Sequence, residues 1–291
     1  MNARRILFTD AGVLRAPWRI FLFLLITAVA VRVCAALAGP LLEGAFASTG
    51  LRGVSTAAWI ECLSLLIATA VSLRWIDKRP WSYVWLGEEA AEPRRIALGF
   101  AIGALAIGLP TALLISAHWL RNGGGPAGSL WAAGARVTML LLPAAFLEEL
   151  LSRGYILAVL RDAWGWPWAI GVTSAAFGAL HLANAGANVE STTLVTLAGV
   201  FLAVVLFATR SLYAAWAAHF AWNWTMAVLF HTAVSGIPLD SPLYRYVDAG
   251  PAWATGGVWG PEGGVPAGIG LIVGIAYLFG RRGRQSRREE T

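Results

Sequence analysis

Charge is scarce in this sequence. Asp, Glu, Lys and Arg make up 13% of its 291 residues, whereas a soluble domain carries about 25%. So few charges cannot cover a water-facing surface, which argues against intrinsic disorder, a nucleic-acid-binding domain and an ordinary cytosolic enzyme. Cysteine is nearly absent as well. Cys34 and Cys62 are the only two, both inside apolar runs, so neither a disulfide framework nor a cysteine metal site has support. What is abundant is apolar: 58% of residues are hydrophobic and mean hydropathy is +0.65. The expected solvent is a bilayer. In that setting the formal net charge of +6 concerns topology before any acidic partner.

A helix that crosses a membrane needs about 20 mainly apolar residues, because lipid offers the backbone no hydrogen-bond partner. Eight stretches meet this description, near 17–39, 55–76, 96–118, 132–160, 166–183, 192–209, 211–233 and 264–280. The expected fold is all-α and polytopic, one integral-membrane domain over 1–291 with a polar cavity inside the bundle and a basic tail at 281–291. With the amino terminus cytoplasmic, Arg4, Arg5, Arg15, Arg19, Arg74, Lys78, Arg79, Arg94, Arg95, Arg161, Arg210 and the tail arginines fall inside. Arg52, Arg121, Arg245 and Arg136 are left outside. That asymmetry fits the positive-inside rule and places both termini in the cytoplasm. Pro80–Leu86 reads either as an interfacial segment or as a loop with belt aromatics. The Gly- and Pro-rich run from Ile237 to Val265 reads as the longest external loop.

An ionisable side chain deep in a spanning helix costs roughly 2.5–3.5 kcal/mol, so each is a functional candidate. Glu148, Glu149 and Arg153 lie in the fourth stretch, His181 in the fifth, and His219 with Asn223 in the seventh. Glu149 and Arg153 have i, i+4 spacing and can pair along one face. Glu148 points about 100° away and reads as an unpaired carboxyl in a dry site, suited to acid or base chemistry. Helical rise puts Glu148 about 20 Å, His181 about 22 Å, Asn223 about 18 Å and His219 about 12 Å from the cytoplasmic boundary. Three helices thereby bring a carboxyl, two imidazoles and an amide toward one level. A structural Glu-Glu-Arg knot and satisfied core histidines are the plainer alternatives. Arg32 and Glu61 read as an ion pair between the first two spans, or as part of a substrate entrance. His118 and His231 read as interfacial anchors, and Asn184 and Asn188 as turn residues.

Glu148-Glu149-x-x-x-Arg153, Phe177-x-x-x-His181 and His219-x-x-x-Asn223 occur in that order on successive apolar segments. Together they resemble the CPBP family of intramembrane proteases, which includes type II CAAX prenyl endopeptidases and bacterial abortive-infection relatives. The resemblance covers about 132–233. It implies hydrolysis of a peptide bond in a membrane-associated or C-terminal segment of a protein or peptide, including a lipidated one. By this resemblance Glu148, assisted by His181, would activate a water, and His219 with Asn223 would stabilise the oxyanion. Glu149, Arg153 and Phe177 would support them.

No cofactor is favoured. A divalent metal such as zinc remains the alternative, with Glu148, His181 and His219 as its ligands. The rival to an enzyme is a non-catalytic polytopic protein such as a transporter, immunity factor or scaffold, although no inverted repeat is visible. The expected surroundings are membrane lipids of a bacterial inner membrane, with no nucleic-acid partner.

Overall fold

The computed structural model describes residues 3–48 and 56–289. Arg52 and the side chains of Arg4, Arg282, Arg284, Arg287 and Arg288 lie outside the described set. The main helices are α1 (Ala16–Leu37), α2 (Thr56–Val71), α3 (Pro93–Ser116), α4 (Leu130–Glu149), α5 (Ile156–Trp164), α6 (Trp166–Leu180), α7 (Val189–Thr209), α8 (Leu212–Trp224) and α9 (Val265–Glu289). Departures from the all-α expectation are a three-residue antiparallel strand pair and two isolated bridges, Phe8 with Leu14 and Val234 with Ile237. In the strand pair β1 (Leu120–Asn122) lies against β2 (Tyr246–Asp248).

Local chemistry accounts for several helix starts. Proline opens α1, α3 and α6, where its missing N–H has no helical partner to lose. Asn188 and Ser191 form a capping box on α7. Ser211 Oγ accepts from Ala214 N and caps α8.

Helix length and composition support five of the eight expected spans among the described residues. Ala16–Leu37, Thr56–Asp77, Pro93–Ser116, Leu130–Trp164 and Val189–Thr209 are long and apolar enough to cross a bilayer. The other three expected positions are helical but shorter. α6 has 15 residues, about 22 Å of rise against roughly 30 Å of hydrocarbon. α8 passes at Thr225 into a π-helical turn, and the apolar part of α9 ends at Arg281. Helix ends at membrane depth need surrounding protein or water to satisfy their backbone. His181 stands directly after the short α6, and His219 on α8, which continues as a π-helix to Leu229.

Close backbone approach sets the height of α8. Gly99 and Gly103, four residues apart on α3, face Ala214 and Ala218 on α8. A Cβ at either glycine would stand 2.1 or 2.0 Å from the opposing carbonyl oxygen, so these helices meet only because the side chains are absent. His219 follows Ala218 directly and inherits that placement.

Other expectations are revised. Arg32 and Glu61 are both exposed, and no ion pair joins them among the described residues. α1 turns Phe23, Ala30 and Cys34 inward, and Arg32, two residues from Ala30 and Cys34, points nearly the opposite way. His231 is buried rather than interfacial, with Nδ1 2.6 Å from the Tyr244 carbonyl and its ring stacked on Tyr244 at 4.3 Å. Val84, Trp85 and Leu86 are buried. The Trp85 carbonyl accepts from Leu212 N at 3.0 Å, so this segment underpins the start of α8. Near it the buried Arg19–Asp77 ion pair joins Tyr83, whose hydroxyl accepts from Arg19 and donates to Asp162. Cys34 and Cys62 are free and buried.

Candidate active site

α4 ends at Glu149, and the chain continues as a π-helical segment, Leu150–Tyr155, in which Gly154 leaves helical geometry. Such widened turns recur where a helix serves a site. The i, i+4 pair survives it: Arg153 Nη1 donates to Glu149 Oε1 at 3.0 Å, with both side chains fully buried. Arg153 Nη2 donates to the Gly199 carbonyl of α7 at 2.9 Å, and its guanidinium lies over the Phe177 ring at 4.3 Å. An added Cβ on Gly199 would come within 3.3 Å of that same nitrogen. Glycine therefore makes room for the arginine as well as offering it a carbonyl.

Glu149 also reaches α8. Its Oε1 lies 2.9 Å from His219 Nδ1. A carboxylate that already accepts from Arg153 is the acceptor here too, so His219 carries its proton on Nδ1 and presents Nε2 to the site. His181, at the C-terminal end of α6, is fixed similarly. Its Nδ1 donates to the Phe177 carbonyl at 2.8 Å, and its ring packs 4.8 Å from the Phe177 ring. Phe177 holds His181 by ring and carbonyl together, and also touches His219 at a centroid distance of 5.9 Å.

Both free ring nitrogens face one carboxylate oxygen. Glu148 Oε2 is 3.9 Å from His181 Nε2 and 3.8 Å from His219 Nε2, and this oxygen is buried without a hydrogen-bond partner. Three acceptors turned toward one another repel unless a proton donor or a cation comes between them. A water supplies two protons to such a triangle. The Glu148 side chain is 33% exposed on the bare protein surface, whereas that of Glu149 is fully enclosed. Glu149 is the enclosed acid. α6 stops at the exposed Leu180, which leaves the Glu148 side open.

Beside the triangle lies a cavity of about 30 Å³ lined by Phe177, His181, His219, Trp222, Asn223 and Glu262 among others. It has room for a water molecule or two. Asn223, one helical turn beyond His219, thus reaches the same space as the two rings. Glu262 is a residue that sequence reasoning missed. It comes from the segment expected to be external, yet is nearly buried. Its Oε2 accepts from Trp222 Nε1 at 2.8 Å, and its Oε1 accepts from Ser235 N and Oγ at 2.5 and 2.7 Å. The available signal was its isolation: it is the single charged residue between Ala249 and Gly264.

Among the described residues, no group of three or more His, Cys, Asp or Glu side chains is arranged to hold a metal ion. Ligand atoms at 2.0–2.1 Å on a tetrahedral zinc stand about 3.4 Å apart. The separations of 3.8 and 3.9 Å from Glu148 are wider. The donor types suit zinc, but their spacing does not.

The architecture is that of an α-helical membrane protein with carboxylates and imidazoles gathered inside its bundle. Residues 129–225 match the family model of the type II CAAX prenyl endopeptidase Rce1-like proteins, so the resemblance carried by the three motifs holds for this segment. The match spans a third of the chain and contains all seven motif residues. A search of curated proteins finds no match to the chain.

Proposed function

We propose that the protein is an intramembrane endopeptidase that hydrolyses a peptide bond in a membrane-associated or C-terminal segment of its substrate. The observation that carries this reading is the convergence of Glu148 Oε2 with both imidazole Nε2 atoms inside the helical bundle. Glu148 and His181 hold a water, and Glu148 takes one of its protons as the oxygen bonds to the scissile carbonyl carbon. The carbonyl π electrons move onto its oxygen. Asn223 donates to that oxyanion. His219 donates too once its Nε2 has taken up a proton from solvent, the imidazolium charge being balanced by Glu149 on the other ring nitrogen. Collapse breaks the C–N bond, and the proton held by Glu148 passes to the leaving amine. Glu149, Arg153 and Phe177 are positioning residues. No step is routed through a metal.

The test is cleavage of a membrane-anchored reporter by purified protein in lipid. Glu148→Gln and His181→Ala should each lower the rate about 10²–10⁴-fold, and Asn223→Ala about 10²–10³-fold, with helix content and melting preserved. Wild-type rates in folded E148Q and H181A would overturn the proposal. Chelation should leave the rate unchanged, whereas loss on chelation with recovery on zinc add-back would replace the metal-free mechanism. The charge distribution supports an orientation with both termini cytoplasmic, and the short loops are the ground for proposing a bacterial inner-membrane location.

A further inference from the structure

Away from the catalytic residues, where α3 and α8 begin and α7 and the apolar part of α9 end, lies a cavity of about 470 Å³ lined by Arg94, Arg95, Arg210, Arg281 and Glu92. Four arginines from three parts of the chain line it together with one carboxylate. Glu92 is engaged by Arg95, whose Nε lies 2.9 Å away and whose Nη1 donates to the Thr209 carbonyl at 3.1 Å. Arg210 is held over the Trp166 and Phe207 rings at 5.0 and 5.3 Å. It sits in the left-handed region at φ 54°, a conformation that is costly for a non-glycine residue. The amino-terminal turns of α3 and α8 add their partial positive charge. The cavity is therefore built for an anion.

Its surroundings specify the rest of the ligand. On α3, Arg94 is followed at helical spacing by Leu98, Leu105 and Leu109, the last two exposed. On α9, Arg281 is preceded at four-residue steps by Tyr277, Val273 and Ile269, all exposed. The two helices touch where Gly270 meets Ala106, and both apolar stripes begin at the basic cavity. Leu98 to Leu109 rises about 16 Å, close to the roughly 15 Å of hydrocarbon in one leaflet.

We infer that this cavity binds the phosphodiester headgroup of an anionic glycerophospholipid whose acyl chains run along the exposed stripes of α3 and α9. Basic pockets between membrane helices are suited to such headgroups, and the stripes favour a lipid over a soluble phosphate. The inference is independent of the catalytic proposal.

The test titrates full-length protein in neutral detergent with acyl-labelled phosphatidylglycerol, followed by anisotropy. Phosphatidylcholine with the same chains is the neutral control, and inorganic phosphate is the soluble arm. Phosphatidylglycerol should bind saturably and more weakly as salt rises, and phosphatidylcholine should show no saturable binding. Arg94→Gln with Arg281→Gln should weaken binding about five-fold per arginine, and Arg94→Lys with Arg281→Lys should restore most of it. Helix content and thermal melting in detergent serve as folding readouts for both pairs. Equal binding of the two lipids, or unchanged affinity in the folded glutamine pair, would overturn the inference. So would inorganic phosphate binding as tightly as the lipid, which would identify a soluble-anion site. If the glutamine pair does not fold, salt-independent binding by the wild-type protein overturns the inference by itself.

Discussion

Glu149 Oε1 takes hydrogen bonds from both Arg153 and His219 inside a fully buried pocket, so this carboxylate is the joint between α4 and α8. Glu149→Ala should cost roughly 3–5 kcal/mol, because it strands the arginine charge without a partner. Replacing the pair by Glu149→Leu with Arg153→Met should recover much of that stability, read as thermal melting in detergent. Cleavage should stay low in the double variant, because His219 has lost the acceptor that sets its tautomer. Equal activity of the double variant and the wild type would remove the positioning role. The sequence spacing made the Glu149–Arg153 pair legible. It could not show that the same oxygen serves a histidine 70 residues away, since an i, i+4 rule concerns one helix face only.

Helix packing determines where the side chains of the candidate site stand. Gly103 faces the Ala218 carbonyl so closely that Gly103→Val must push α3 and α8 apart, and His219 follows directly on Ala218. Overpacking of this kind costs about 1–3 kcal/mol or more. The expected outcome is a lowered melting midpoint together with a loss of cleavage larger than the instability explains. Comparison with Gly44→Val, at a position with open space around the added Cβ, supplies the control. Hydropathy was sufficient to find helices at the eight expected positions. It did not reveal that α6 stops after 15 residues or that α4 opens into a π turn after Glu149. Both are helix-end features that averaged hydropathy does not mark.

Across the whole molecule, the buried Arg19–Asp77 pair and Tyr83 tie the first helices to the end of α5 through Asp162. Burial, followed by the hydrogen bond to Asp162, pushes the Tyr83 phenol up to about 12 from its ordinary 10. A raised phenol pKa favours the protonated fold. Its contribution to stability is complete below about pH 10 and is lost as pH rises toward 12. Melting midpoints measured across that window should fall, and Tyr83→Phe should flatten the fall. Equal slopes for the two proteins would show that the phenol does not couple to folding. The orientation proposal is checked at the same scale. Tags on the two termini should be protected from an external protease in intact cells and cleaved together once the membrane is opened.

Composition alone established a lipid environment, because a chain with so few charges has no other solvent in which to fold. Motif order alone singled out the residues of the candidate site and the family they resemble, since spacing along a helix is a one-dimensional property. Tertiary structure decided which carboxylate is enclosed and which is open, the placement of the imidazole protons, and the arrival of Glu262 from a distant turn. It also gathered four arginines into one basin. Each of these depends on contacts between segments far apart in the chain, where helix ends and close glycine crossings, not local periodicity, set the distances.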